Sequence, residues 1–297
     1  MPPKETPATP VKLNFADIIN KVKENQEGAK KPFDFGTVSD LEELGPDDYL
    51  KLGDWWSKPT NLPGLPFGRM VLIAGDSDSG KSSFAIQSIK AAQQQGVGTI
   101  YIETENKTTA ADFVNWGVDP QQIIMKQSFV LEQMFETAIQ AWDEIVKVAP
   151  DAPLLIVIDS MGNTVTQFDE DLDLTDNTKP GGKGSALRRC LNKLAGKLIN
   201  AKNKVSVLLI SYTYDNIGSP GRTNAGGKAL GFFPSLIYQT KRIGWMEKTE
   251  SGNKVRVGAK VKWDLFKNHL KKTSPGLKNI VFGITDDGMS FVEKDSE

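Results

Sequence analysis

The sequence predicts an α/β fold: a mainly parallel central sheet with helices on both faces and an antiparallel C-terminal extension. Three observations carry this. Short apolar runs alternate with amphipathic stretches from Gly64 to Tyr212, the pattern of strands and covering helices. The run "APLLIVIDS" is apolar at consecutive positions, as in a strand buried on both faces. After Leu230 helical periodicity fades, and three strand-like runs follow one another directly.

The elements can be justified in order. Residues 1–12, rich in Pro and Thr, read as a disordered tail. Residues 13–45 read as a helix and linker. Phe15, Ile18, Ile19 and Val22 have helical spacing, with Asn14 as a possible N-cap and an end near Gly28. So short a helix has little core of its own and is expected to pack on this chain or a neighbour. Residues 33–63 read as an irregular lead-in containing Trp55 and Trp56, and residues 46–297 as the core domain. Within it, "RMVLIAG" is a strand ending in a glycine loop and "KSSFAIQSIKAAQQQG" a helix closed by Gly96. "VGTIYIE" is a strand, "TAADFVNWG" helical, "QQIIMK" a short strand and "VLEQMFETAIQAWDEIVKV" a long helix. The apolar strand ending in Asp159 comes next, then a helix from near Ser185 and the strand "VSVLLISY". "SLIYQTKRIGW", "NKVRVGAKVKW" and "KNIVFGI" complete the sheet as antiparallel extensions, with no further domain expected and no internal repeat.

Composition narrows the function classes. Hydrophobic residues make up 39% of the 297 and charged residues 25%, as in soluble globular proteins. No apolar run approaches the roughly 20 residues that span a bilayer, so no membrane association is expected. The polar N-terminus is not a secretory signal. A single cysteine, Cys190, rules out an internal disulfide and fits a reducing compartment, and one His beside one Cys speaks against structural zinc. The expected location is the cytoplasm. Net charge is −1, yet residues 221–278 hold thirteen Lys/Arg against three acids. Local basic density is what a polyanion meets.

"GDSDSGKSS" comprises Gly75, Asp76, Ser77, Asp78, Ser79, Gly80, Lys81, Ser82 and Ser83. It fits the spacing G-x-x-x-x-G-K-[ST] between a predicted strand and a predicted helix. Glycines let backbone N–H groups turn inward on a phosphate, and the helix N-terminus adds positive potential. Lys81 would reach the β/γ-phosphates, and the Ser82 hydroxyl would ligate Mg²⁺. Asp159, at the C-terminal edge of its strand, is the acid such a Mg²⁺ site needs. Hydrolysis also needs a group to orient water. Glu103 and Glu105 of "IYIETE" both qualify; alternation puts them on one side, with Glu105 further out.

Taken together, the motifs resemble those of the RecA recombinase family, including its T4-like phage members. "GLPFGR" at Gly64–Arg69, "IETE" with Asp119 fourteen residues after Glu105, "IVIDSMGN", "NKLAGKL" and "GGKALGFFPSLIYQTKRIG" occur in the family's order over about residues 60–290. The resemblance implies a RecA-like P-loop NTPase core that binds ATP and Mg²⁺. Lys81, Ser82 and Ser83 fall on its phosphate and metal positions, Asp159 on the Walker B acid and Glu105 on the water-activating glutamate. Ser211-Tyr212 falls where the family has an Asn-Gln pair that senses the γ-phosphate, so Tyr212 is a departure. Lys267 matches the first of two lysines that reach a neighbouring subunit's ATP, and His269 stands in place of the second. The family's base-stacking tyrosine is missing; Asp112 and Phe113 occupy that region, and Phe113 is the residue available to pack on the base. The resemblance further implies a core without the family's C-terminal domain. It implies a helical filament, with residues 33–40 as a candidate edge strand for docking.

Two segments are candidate DNA loops. After Asp159, roughly twenty residues lack apolar periodicity, a length usually functional or disordered. They lie where the family has its first DNA loop. Their acids repel phosphate, so the contacts are expected at the far end, from Lys179 through Lys183 to Arg188 and Arg189. The second spans about Asp215 to Lys228. Arg222, Asn224, Gly226, Gly227 and Lys228 supply cations and close-lying backbone N–H groups, which suit a backbone grip with little sequence preference and strong salt dependence.

These readings describe an ATP-dependent recombinase that polymerises on single-stranded DNA and pairs it with duplex DNA in recombination and repair. A single-strand-binding protein or mediator is a further expected partner. Two alternatives stand beside it: a ring helicase or motor on the same core, and a non-hydrolysing mediator paralogue.

Overall fold

A computed structural model describes residues 21, 43–173, 182–215, 222–224, 229–250, 252–270 and 277–292, of which 214–215 and 222–224 as backbone alone. The chain falls into two units, residues 1–44 and 45–297. Of the first, only Lys21, Glu43 and Leu44 are described. The tail, the edge strand at 33–40 and, apart from Lys21, the helix expected from Asn14 therefore lie outside the described residues.

The second unit is built on a sheet. In chain order its strands are β3 (Arg69–Gly75), β4 (Gly98–Glu103), β5 (Ile123–Gln127), β6 (Leu154–Asp159), β7 (Val205–Asp215), β8 (Arg222–Asn224), β9 (Leu236–Glu250), β10 (Asn253–Asn268), β11 (Ile280–Thr285) and β12 (Gly288–Phe291). The order across the sheet is β12-β11-β10-β9-β3-β7-β6-β4-β5, with β8 paired to β7. The block from β9 to β5 is parallel. Beyond β9 the pairing turns antiparallel. The C-terminal extension therefore differs from expectation in one respect: β9 runs parallel to β3 before its outer edge takes β10. The reason is its entry, since Ser235 donates from its backbone N–H to the Met70 carbonyl at the start of β3 and aligns the two strands.

Helices cover both faces. On one, α4 (Leu131–Val148) and α6 (Gly182–Ile199) pack Met134, Phe135, Trp142, Leu187, Leu191 and Leu194 against alternate residues such as Leu72, Ile102, Ile156 and Leu209. On the other, Phe84 of α2 (Lys81–Gln94) meets an aromatic cluster. Alternate strand residues pointing to opposite faces make this possible. α6 begins at Gly182, three residues before the expected start.

The described part of the expected irregular lead-in forms regular elements. β1 (Tyr49–Lys51) pairs with β2 (Gly64–Pro66), and α1 (Asp54–Thr60) lies between them. Trp56 on α1 is 1% exposed and lies within 4.9–5.9 Å of Phe84, Tyr238, Trp263 and Phe282, ring centre to ring centre. The lead-in is thus a lid on the core beneath the helix that carries the phosphate loop. Trp56→Ala should cost roughly 3–5 kcal/mol of stability, as large-to-small aromatic replacements in cores do. Urea unfolding checks this: an unchanged midpoint would show that α1 does not anchor the aromatic cluster.

Candidate functional site

The glycine loop leaves β3 at Gly75 and enters α2 at Lys81. Two positions admit no side chain. A Cβ on Gly75 would lie 2.3 Å from the Thr240 carbonyl oxygen of β9, and one on Gly80 would lie 2.4 Å from Ile284 Cδ1. Gly80 is also the N-cap of α2, in the left-handed region at φ 83°. The Ser79 hydroxyl lies 2.7 Å from the Asp76 carbonyl, as its donor, and 2.6 Å from the Thr240 hydroxyl, tying the loop to β9. Unpaired N–H groups at the start of α2 thus converge where an anion is favoured. The Lys81 ammonium donates to the carbonyls of Gly75 (3.2 Å) and Asp76 (2.5 Å) and lies 4.4 Å from the centre of the Tyr212 ring. Burial pushes its pKa down, against the pull of Asp159 and Glu105.

Asp159 ends β6 near Ser82, whose hydroxyl favours its charged form. The Tyr101 hydroxyl donates to Asp159 Oδ2 at 3.3 Å. Burial raises the Asp159 pKa to about 6. A hydroxyl and a desolvated carboxylate held together form a hard-oxygen donor pair of the kind Mg²⁺ takes, with phosphate and water completing its shell.

The two glutamates, on one side by alternation, are separated by the fold. Glu103 is the last residue of β4 and 2% exposed. Its carboxylate accepts from the backbone N–H groups of Glu105, Asn106 and Lys107, so it shapes the loop. Glu105 lies past the strand end, where alternation no longer holds. Its Oε1 accepts from Ser160 at 3.2 Å and from the Tyr212 hydroxyl, and its Oε2 from Lys107 at 2.6 Å. Burial opposes its ionisation, but these hydrogen bonds outweigh it and hold the carboxyl below the ordinary glutamate range.

Two adjoining recesses surround these groups. The smaller, about 240 Å³, is lined by residues 77–83 with Glu105, Lys107 and Tyr212. The larger, about 360 Å³, runs from Ser82, Ser83 and Asp159 to Asp112, Asn115, Trp116 and Asp286. Phe113 does not face it. That residue is 3% exposed and packs edge-on against Tyr101, while Asp112 accepts from the Thr109 backbone N–H that opens α3 (Ala110–Asn115). Asp112, Asn115 and Trp116 line the recess, while Phe113 between them is turned into the core. Sequence reasoning missed Trp116, Asn115 and Asp286, because the last comes from the β11–β12 turn and nothing local signals its arrival. It also missed Ser160 and Lys107.

The expected DNA-contact residues divide. Lys179, Gly226, Gly227 and Lys228 lie outside the described residues; Arg222 and Asn224 form β8, as backbone alone. The segment after Asp159 is more ordered than expected. Val165 bridges Val130, and α5 (Gln167–Glu170) is capped by Thr166. Lys183 does not project freely: its half-buried ammonium donates to the Gly162 carbonyl at 2.7 Å. Arg188 and Arg189 are exposed and part company, Arg188 lining a recess with Phe232 and Phe233 while Arg189 pairs with Glu132 at 3.7 Å. Lys267 and His269 are not brought to this chain's own glycine loop. Lys267 pairs with Ile237, level with Leu72 of β3 rather than Gly75, and its ammonium donates to the carbonyls of Gly231 and Phe232 in α7 (Ala229–Phe232). The His269 backbone N–H donates to Ser235. No helix among the described residues is long and apolar enough to cross a membrane.

Comparison with known proteins decides the family. Residues 58–289 match the model of the RecA N-terminal domain. The chain belongs to the RecA family. Its RecA relatives include Protein RecA of Fusobacterium nucleatum, 30% identical over 226 residues, which are 75% of this chain and 56% of the relative. Protein RecA of a Sulfurovum species is 28% identical over 236 residues, covering 78% and 63%. Protein RecA of Lactococcus lactis is 26% identical over 300 residues, covering 93% and 73%. The chain thus spans less than two thirds of the length of the first two relatives. The sheet, with its glycine loop at the C-terminal end of β3, is the RecA-type P-loop NTPase fold.

Proposed function

We propose that the protein is an ATP-dependent DNA recombinase that forms filaments on single-stranded DNA and promotes homologous pairing and strand exchange. The observation that carries the reading is the meeting of Lys81, Ser82, Asp159 and Glu105 at one sheet edge with Tyr212 of β7. β7 is the strand that leads into the glycine-rich segment ending at Lys228.

In this reading the backbone N–H groups of residues 76–82 hold the β- and γ-phosphates. Lys81 exchanges its two carbonyl partners for phosphate oxygens. Ser82 and Asp159 hold Mg²⁺, which when bound offsets the phosphate charge and that of Asp159. Glu105, ionised at neutral pH, orients the attacking water. Trp116 and Asn115 flank the place for the base. Single-stranded DNA is gripped by the 215–228 segment and by Arg188, with duplex DNA as the second substrate. Lys267 and His269 act across a protomer interface, a role supported by their distance from the cleft of their own chain.

ATP hydrolysis measured with and without single-stranded DNA tests this, together with a strand-exchange assay. Stimulation and exchange are expected, and Lys81→Ala should abolish both by removing nucleotide binding or turnover. Absence of stimulation and of exchange would overturn the reading. It would favour the mediator alternative, in which Tyr212 keeps Glu105 occupied. Closed rings in electron micrographs, in place of open filaments, would favour a motor.

A further inference from the structure

The glycine loop carries two acids, Asp76 and Asp78, where a polyphosphate would bind. Asp78 lines the smaller recess with Lys81, Glu105, Lys107 and Tyr212. Its backbone lies in the left-handed region at φ 53°, which Asp and Asn enter more readily than other non-glycine residues. Its carboxylate is met from outside the loop, by Arg242 of β9 at 3.6 Å. Arg242 is itself seated. Its guanidinium lies over the Trp245 ring at 4.6 Å, and that of Arg256, from β10, lies over the same ring at 4.7 Å.

Two irregularities in the β9–β10 ribbon make this seat. Arg242 and Trp245 are three residues apart and would face opposite sides of a regular strand. Arg242 and Gly244, however, oppose the consecutive residues Val261 and Lys260, so Ile243 is the extra residue of a bulge. A second shift leaves Val257 extra between Arg256 and Gly258. Counting pairs across the ribbon then puts Thr240, Arg242, Trp245 and Arg256 on one face. From that face the Thr240 hydroxyl meets Ser79 at 2.6 Å. The ribbon thus holds the loop twice, at Ser79 and at Asp78.

We propose that Arg242 is a positioning residue for nucleotide binding, which holds the Asp78 carboxylate to the ribbon and offsets its charge so that the loop can take a triphosphate. The inference rests on the cleft binding ATP, as proposed above, and adds a residue outside the loop that sets its affinity.

Charge and order supply the argument. Lys81 feels this acid: burial lowers its pKa, and Asp159, Glu105, Asp76 and Asp78 pull against that, in decreasing order. A carboxylate close enough to favour the Lys81 ammonium is close enough to repel the phosphate that the ammonium would hold. An ion pair between two free surface side chains would offset little of this, because ordering both costs entropy. The Trp245 ring orders Arg242 beforehand. Arginine suits the place, since a planar guanidinium can lie on an aromatic face and still present N–H groups to a carboxylate.

Calorimetry on the full chain, with a non-hydrolysable ATP analogue and Mg²⁺, tests the inference. At about 0.05 M salt, Arg242→Gln should bind the analogue roughly three- to tenfold more weakly than the wild type. The loss should shrink at about 0.5 M salt, because the Arg242 and Asp78 side chains are 38% and 77% exposed and open to screening. Asp78→Asn, which suits the left-handed backbone and drops the charge, should bind at least as tightly as the wild type. The double variant should bind like Asp78→Asn, since no charge is left to offset. A loss that persists in the double variant would overturn the inference, showing that Arg242 touches the phosphates itself or only braces the ribbon. So would a loss indifferent to salt, or unchanged affinity in Arg242→Gln while the wild type binds. Failure of the wild-type chain to bind the analogue would overturn the nucleotide reading and this inference with it.

Discussion

Glu105→Gln should slow ATP hydrolysis by roughly 100- to 10,000-fold, the range that a positioned acid–base group contributes. It should leave ATP-dependent binding of single-stranded DNA intact. Glutamine keeps the side-chain length and an oxygen to accept from Ser160 and Tyr212, but loses the charge that pairs with Lys107. The substitution therefore separates water orientation from the shape of the loop. Glu103→Gln should behave differently. Its carboxylate satisfies three backbone N–H groups, so the variant should weaken nucleotide binding along with turnover. Single-turnover hydrolysis and nucleotide titration, run in parallel, read the two effects. Turnover unchanged in Glu105→Gln would remove its assigned role.

Asp159→Asn should make the nucleotide-free chain more stable while ending Mg²⁺-dependent ATP binding. Burial lifts the Asp159 pKa from 3.8 to about 6. Between those values the folded chain binds more protons than the unfolded one, so stability falls as pH rises through the window. Above it the charged, unneutralised carboxylate costs roughly 3 kcal/mol, at 1.36 kcal/mol per pH unit of separation. Asparagine removes the charge and keeps an oxygen for Tyr101 and Ser82. In chelator at pH 7.5 the variant should unfold at a higher temperature than the wild type, with the difference shrinking towards pH 4. Equal unfolding temperatures at pH 7.5 would show that Asp159 is not the buried, uncompensated charge described here. A site that is destabilising until its cation arrives gains differential affinity for the loaded state.

Much of this architecture is legible in the chain itself, for local reasons. The glycine loop could be read because its chemistry is a contiguous spacing between a strand and a helix. The parallel block could be read because strands buried on both faces must be apolar at consecutive positions, as in "LLIVID". Asp159 could be read because it ends such a strand. The lead-in was harder to read. Trp55 and Trp56 sit among Pro, Gly and charged residues, and only the convergence of α2, β9, β10 and β11 gives Trp56 a core to enter.

What the tertiary structure alone decided is the division of labour among residues of like chemistry. Alternation sets Glu105 further out than Glu103, but only the end of β4 turns the Glu103 carboxylate onto the loop backbone and leaves Glu105 to Ser160, Lys107 and Tyr212. Phe113 and Trp116 are both aromatic, and packing buries the first against Tyr101 while the second lines the cleft. Lys183 and Arg188 are both cations, and a carbonyl 21 residues earlier claims the first. Spacing along the chain specifies strands, helices and the phosphate loop, because those depend on neighbours in sequence. Which group meets the cleft depends on partners far along the chain, such as Ser160 and Tyr212, 55 and 107 residues from Glu105, and only packing brings those together.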